Sequence, residues 1–193
     1  FDNIARYVRE GGAVLVAAGP DYASATSLWR TPLEQILPAE PIGSTTEMPF
    51  RAQLSDPGKR HPVTRGLEGA NVDPPNWSRW FRLVNTKAQS GTSVMEGPDK
   101  KPLLVLSREG GGRVGLLLSD HIWLWARGHD GGGPYADLTR RLAHWLMKEP
   151  ELEENDLHAL VRGDKIEIQR RALEPTTSPV TVTSPSGQTT AVA

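Results

Sequence analysis

Residues Gly112 to Trp125, Gly-Arg-Val-Gly-Leu-Leu-Leu-Ser-Asp-His-Ile-Trp-Leu-Trp, constrain this chain more than any other stretch. They open on a glycine turn, run through an almost unbroken apolar segment and stop on Ser119-Asp120-His121 and two tryptophans. Such a run offers no polar face to water. It reads as a strand buried on both sides, as in a parallel or mixed α/β sheet. Open α/β sheets place their ligands beyond the carboxyl ends of their strands. The polar residues that follow Leu118 are therefore the first place to seek a site.

The flanking sequence extends this reading. Phe1, Ile4, Ala5 and Val8 recur at helical spacing, and Gly11-Gly12 supplies a helix end. Ala13 to Ala18 reads as a short buried strand, broken by Gly19-Pro20-Asp21. Helix, glycine pair and strand make half of an α/β unit, so the first strands are expected to be missing and the chain to be a piece of a longer protein. Pro32 to Leu37 predicts a short helix with proline in its first turn. The Pro-, Gly-, Ser- and Thr-rich segment from Pro41 to Asn76 predicts an irregular excursion packed over the sheet edge. Pro102 to Ser107 predicts a strand joined to the central one by the Gly110-Gly111-Gly112 turn, hence an antiparallel hairpin. Pro134 begins the strongest helical pattern, with Leu138, Leu142, Trp145 and Leu146 on one face.

After the acidic connector Glu151 to Asp156 the period changes to two. Ala159–Val161, Lys165–Gln169 and Val180–Thr183 read as short strands too few to enclose a core. The expected organisation is an α/β domain over 1–156 and a β-rich extension over 157–193, the start of a β-domain.

Composition excludes several functions. The formal net charge is −1, so no basic excess suits nucleic acid or an anionic membrane. There is no cysteine, which rules out disulfides, thiolate metal sites and a cysteine nucleophile. No apolar run approaches the roughly 18 residues of a membrane-crossing helix.

Several segments together resemble a known family. Gly-Gly-Ala-Val-Leu-Val at 11–16, Thr-Pro-Leu-Glu-Gln-Ile-Leu-Pro at 31–38 and His-Pro-Val-Thr-Arg-Gly-Leu at 61–67 are the first three. Pro-Leu-Leu-Val-Leu at 102–106, Gly-Arg-Val-Gly-Leu-Leu-Leu-Ser-Asp at 112–120 and His-Trp-Leu-Met-Lys-Glu-Pro-Glu-Leu at 144–152 follow. This set resembles the class I glutamine amidotransferase-like superfamily. More narrowly, it resembles an uncharacterised family of bacterial membrane proteins named after glutamine amidotransferases. The resemblance implies a flavodoxin-like three-layer α/β/α sandwich, here N-terminally truncated, with a short C-terminal β-strand appendage. It also implies a soluble domain of a bacterial inner-membrane protein. The superfamily implies a cysteine on a strand-to-helix elbow, which falls near Ala18-Gly19-Pro20-Asp21, where none is present. It further implies a histidine and a glutamate two residues apart. His121 fits the first, and Trp123 stands in place of the second. A catalytically inactive domain is the expectation that follows.

The candidate ligand-binding residues are Asp120, His121, Trp123, His129 and Asp130. Asp120-His121 at a strand end suits an acid/base pair or a pocket wall. Its plainer alternative is a histidine satisfied by backbone groups. His129 and Asp130 share the glycine-rich loop before Pro134, which could cradle an anion or merely lead into a helix. The two histidines and two aspartates have no recognised metal spacing, so no metal and no cofactor are expected. Trp123 and Trp125 alternate with Leu124, so on an extended chain both would point one way, toward a cleft or into packing. No catalytic residue is expected. The expected function is a ligand- or protein-binding module, with an unidentified ligand or protein as partner and a homodimer as one form the chain could take. A hydrolase or amidotransferase using His121, and a purely structural scaffold, stand as alternatives.

Overall fold

The computed structural model describes residues 1–173 and 178–192, so residues 174–177 and 193 of the expected β extension lie outside the described residues. The chain divides between Glu153 and Glu154 into two compact units.

The first unit begins with α1 (Asp2–Arg9) and β1 (Ala13–Ala17). Asp2 in the first turn of α1 and Arg6 and Arg9 in the last complement the helix dipole, while Ala5 and Val8 are buried. Then come β2 (Ala39–Thr46), β3 (Gln53–Leu54), β4 (Leu83–Ala88), β5 (Thr92–Glu96), β6 (Pro102–Glu109) and β7 (Gly112–Leu117). The unit closes with α2 (Trp123–Ala126) and α3 (Tyr135–Leu146). Between β1 and β2 the chain makes three 3-10 turns, Pro20–Ala23, Leu28–Arg30 and Pro32–Gln35. Proline leads the first and third and fixes their opening φ.

The main sheet has the order β1-β7-β6-β5-β3, and a second sheet pairs β2 with β4. Only β1 and β7 run parallel, in the register Ala13↔Arg113 to Ala17↔Leu117. The β7–β6, β6–β5 and β5–β3 pairs are antiparallel. The expected flavodoxin-like α/β/α sandwich is therefore not what forms. A doubly wound sheet needs a helical crossover before each parallel strand. Here β5, β6 and β7 follow one another through short turns, which reverse the chain and dictate antiparallel pairing. Helices are few, and α2 is a single turn. The fold is strand-rich, with several small sheets.

All six residues of β7 are buried. The start of β7 is fitted against the end of α1: a side chain at Gly112 would place its Cβ 1.9 Å from the Val8 carbonyl oxygen. On the other side of the pleat, α3 covers Gly115, where Leu142 would meet such a Cβ at 3.5 Å. Buried Arg113 anchors the same strand. Its guanidinium donates to the Trp145 carbonyl and to Glu153, and its Cζ lies 4.9 Å from the Trp145 ring centroid. Burial pushes the Glu153 carboxyl up, but hydrogen bonds from Arg108 and Arg113 outweigh it and hold the group below the usual glutamate range.

Three further local expectations are revised. The short helix expected over Pro32 to Leu37 is a 3-10 turn confined to Pro32–Gln35. The 41–76 segment is not wholly irregular, since β2 runs through Pro41 and β3 follows. Trp123 and Trp125 stand on the helical turn α2 rather than on an extended chain, so they part company: Trp125 is buried and Trp123 is 54% exposed.

The second unit consists of two antiparallel pairs, β8 (Asp156–Arg162) with β9 (Lys165–Arg171) and β10 (Val180–Thr183) with β11 (Thr189–Val192). No helix among the described residues is long and apolar enough to cross a membrane.

Candidate functional site

The parallel pairing of β1 and β7 brings the two chain segments beyond them side by side. Ala18 N–H still donates to the Leu117 carbonyl at 2.7 Å. One residue further, Gly19 faces Asp120, whose Oδ2 lies 3.6 Å from the position a Cβ would take there. A third segment joins from the start of β4, where Val84 N–H donates to Leu118 O at 2.8 Å. This places Phe81 and Arg82 beside Asp120 and His121.

Ser119 is fully committed to holding this corner. Its hydroxyl donates to the Arg82 carbonyl at 2.6 Å and accepts from the His121 N–H at 3.2 Å. Asp120 Oδ2 accepts from Arg82 Nη1 at 3.1 Å, and Arg82 Nε reaches Glu47 Oε1 at 3.3 Å. The other carboxylate oxygen, Asp120 Oδ1, is buried with no hydrogen-bond partner. His121 Nε2 lies 3.7 Å from it. His121 Nδ1 accepts from the Phe81 N–H at 3.1 Å, so the neutral ring carries its hydrogen on Nε2. Burial pushes the His121 pKa below its ordinary value. Asp120 pulls it back up, and Arg82 adds to the depression.

His129 and Asp130 reach this corner through Phe81 and Arg79. The Phe81 ring stands 6.3 Å from His121 and 5.8 Å from His129, centroid to centroid. Arg79 donates to Asp130 Oδ2 from both Nε, at 2.9 Å, and Nη2, at 2.6 Å. Those hydrogen bonds hold the Asp130 carboxyl below the usual range. Asp130 sits at φ 47°, in the left-handed region that Asp tolerates better than most residues. The loop is pinned from below by Trp125, which packs at 5.2 Å from Trp77 and 4.9 Å from Trp80.

The structure thus gathers Asp120 and His121 directly and His129 with Asp130 one aromatic ring away. Trp123 faces outward, and among the described residues no hydrogen bond or ring contact joins it to the others. Glu47, Phe81, Arg82 and Arg79 belong to the arrangement without having been singled out from sequence. Glu47 carries no signal, and that of the other three is local: Arg79-Trp80-Phe81-Arg82 interleaves cations and aromatics just ahead of an apolar strand. Phe81 separates the two imidazoles, and no group of three or more metal-capable side chains gathers among the described residues. Chemically, the corner offers a buried acceptor at Asp120, a neutral N–H at His121 and a cation at Arg82. Two clefts lie elsewhere, one lined by Trp29 and Glu34, another by Asp56 and Glu96.

No family model matches the chain. No curated protein matches it either. Solved structures do. A cytoplasmic protein of Salmonella typhimurium superimposes with a TM-score of 0.60 at 20% identity, over 75% of this chain and 59% of its own. A second cytoplasmic protein, from Salmonella typhimurium LT2, gives 0.53 at 21% identity, over 74% and 58%. A β-galactosidase from Rahnella sp. R3 gives 0.51 at 14% identity, over 94% of this chain and 26% of that one. The chain spans less than two thirds of the length of each, and at these identities the likeness is one of fold. These three are two cytoplasmic proteins and a β-galactosidase, and none is described as an amidotransferase. The flavodoxin-like description expected from sequence is corrected by the strand-rich sheet order, and the amidotransferase-like one draws no support from these structures.

Proposed function

We propose that this chain is a non-catalytic binding module whose ligand seats at the Asp120–His121–Arg82 corner. One observation carries the reading: Asp120 Oδ1 is withdrawn from water without a hydrogen-bond partner, while its sister oxygen is held by Arg82. A buried carboxylate oxygen left unpaired costs free energy, and a small turn of the Asp120 side chain, which is 39% exposed, lets a ligand donor recover it. The neighbouring His121 N–H and Arg82 guanidinium add donors for a ligand acceptor. A polar ligand carrying both a hydroxyl or amide donor and an acceptor suits this set.

The same geometry argues against catalysis. A nucleophile and its base must be within hydrogen-bond reach of one another. The chain has no cysteine, and the Ser119 hydroxyl gives its proton to a main-chain carbonyl rather than to His121. Gly19 contributes no side chain at the end of β1. Attachment to a membrane-anchored bacterial protein belongs to the same proposal. It rests on the sequence resemblance and is checked by fractionating cells that express the full-length protein.

Ammonia release from glutamine tests the non-catalytic reading. The purified chain and its His121→Ala variant are expected to give equal background rates. Turnover present in the parent and abolished in the variant would replace this proposal with an enzyme that uses His121.

A further inference from the structure

A cleft of about 640 Å³ opens where the 3-10 turns Leu28–Arg30 and Pro32–Gln35 meet β2. Its volume lies within the roughly 300–1,000 Å³ usual for small-molecule sites. Trp29, Arg30, Glu34, Gln35 and Glu40 line it, with Pro32 and Pro41 adding apolar wall. We infer that this cleft binds a neutral saccharide of one or two sugar units. The inference is independent of the Asp120–His121 corner, since the two share no residue.

Three observations lead there. The first is the aromatic wall. Trp29 is only half-buried, although other tryptophans of the chain, such as Trp80 and Trp145, are closed into the core. The Ser27 hydroxyl caps its turn by accepting from Trp29 N–H at 3.1 Å, which fixes the backbone beneath the ring. Its indole N–H has no hydrogen-bond partner among the described residues. A half-exposed tryptophan pairs an apolar face with a polar edge, the combination that suits the C–H face and the hydroxyl rim of a sugar ring.

The second observation is the set of planar polar groups around that ring. The side chains of Arg30 and Glu34 form no hydrogen bond or ion pair among the described residues. Gln35 and Glu40 are each anchored on one side only: Gln35 Oε1 accepts from Arg9 Nη2 at 2.5 Å, and Glu40 Oε2 accepts from Gln89 Nε2 at 2.8 Å. Their remaining donors and acceptors are left for a ligand. Acceptors beside donors match vicinal hydroxyls, each of which donates once and can accept twice.

The third observation is charge. Two carboxylates face one guanidinium, so the lining repels a phosphate, nucleotide or carboxylate ligand. A simple cation is poorly served as well, because Arg30 adjoins the only tryptophan in the lining. A neutral polyol fits the balance. The far wall is irregular. The pairing of β2 with β4 shifts register between Pro41 and Thr45, and Gly43 presents no side chain in that gap. Such irregularities re-aim a strand next to binding sites.

Isothermal titration of the full chain with galactose, glucose, mannose, lactose, cellobiose and maltose tests the inference. Saturable binding of at least one sugar is expected. Trp29→Ala is expected to weaken it about tenfold, the size of a lost ring contact. Glu34→Gln, which keeps the shape and removes an acceptor, is expected to weaken it several-fold. Trp29→Phe, which retains the packing of an aromatic ring, is expected to keep most of the affinity and so separates a lost contact from a lost fold. Absence of saturable heat with all six sugars up to about 50 mM overturns the proposal. So does sugar binding that is unchanged in Trp29→Ala, or saturation by choline in preference to every sugar.

Discussion

His121 holds one ring nitrogen against a main-chain N–H, and this makes its protonation state a structural matter. A second ring proton would have to sit on Nδ1, which faces the Phe81 N–H at 3.1 Å. Two donors would then oppose each other. Burial also disfavours the charged ring, Asp120 opposes that effect, and Arg82 reinforces it, leaving a folded-state value below the ordinary one. The fold therefore favours neutral His121. The stability it contributes is fully present above the unfolded value of about 6.5, and it is lost as the pH falls through the lower folded value. Melting temperatures measured from about pH 7.5 down to about pH 5 are expected to fall more steeply for the parent than for His121→Gln, whose amide does not titrate in that range. Parallel slopes for the two proteins would show that Asp120, Arg82 and Glu47 around the ring already compensate its charge.

At the scale of elements, β7 is the strand to which the others are fitted, and Arg113 is its anchor. The side chain of Arg113 is 3% exposed while its partner Glu153 is 31% exposed, so the pair is buried at one end and wet at the other. Removing one partner of a fully buried pair costs about 3–5 kcal/mol, and the solvent at Glu153 discounts that. Arg113→Met, which keeps the apolar stem, is expected to lose about 2–3 kcal/mol in urea denaturation, since the Trp145 carbonyl loses one of its donors and half-buried Glu153 loses a guanidinium. A loss under about 0.5 kcal/mol would mean that the stem rather than the guanidinium is what matters. The strand itself was legible from its unbroken apolar run, and so was the glycine turn that pairs it with β6, because both signals are local. The apolar face of α3 was equally plain, with Leu138, Leu142 and Trp145 buried as their spacing requires. The reach of the parallel sheet was not legible. A fully buried strand looks the same whether its neighbours run with it or against it, and only the turn lengths decide. The helical turn α2 was hidden for a different reason. It is begun by local hydrogen bonds that the apolar Ile-Trp-Leu-Trp run does not announce, with Ser119 holding the His121 N–H and Leu124 N–H closing on His121 O at 3.0 Å. In the candidate site, Asp120 and His121 announced themselves by following the strand. Arg82 and Phe81 did not, because they arrive from a segment remote in sequence that only the pairing of backbones brings near.

Across the whole molecule, the two units differ in how they protect their hydrogen bonds. In the first, β6 and β7 exchange a continuous antiparallel ladder from Leu104↔Leu117 to Glu109↔Gly112, among residues such as Leu104, Val105, Val114 and Leu116 that are almost wholly removed from water. Opening that ladder exposes the core, so its amides exchange only through large-scale unfolding. In the second, the β8–β9 pair is similarly long, from Asp156↔Arg171 to Arg162↔Lys165, yet Leu157, Val161 and Ile166 are 57%, 77% and 62% exposed. A two-stranded ladder whose apolar side chains stay in water gains little from burial to oppose the entropy of ordering it, and isolated hairpins of this kind are marginal. The β10–β11 pair is shorter still. Hydrogen exchange followed by mass spectrometry is therefore expected to give amides in 156–171 rates at least about a hundredfold faster than those in 104–117, a gap set by local against global opening. Exchange in 156–171 as slow as in the central ladder would require a surface that covers Leu157, Val161 and Ile166. The concentration dependence of that protection would then identify a second copy of the chain as its source.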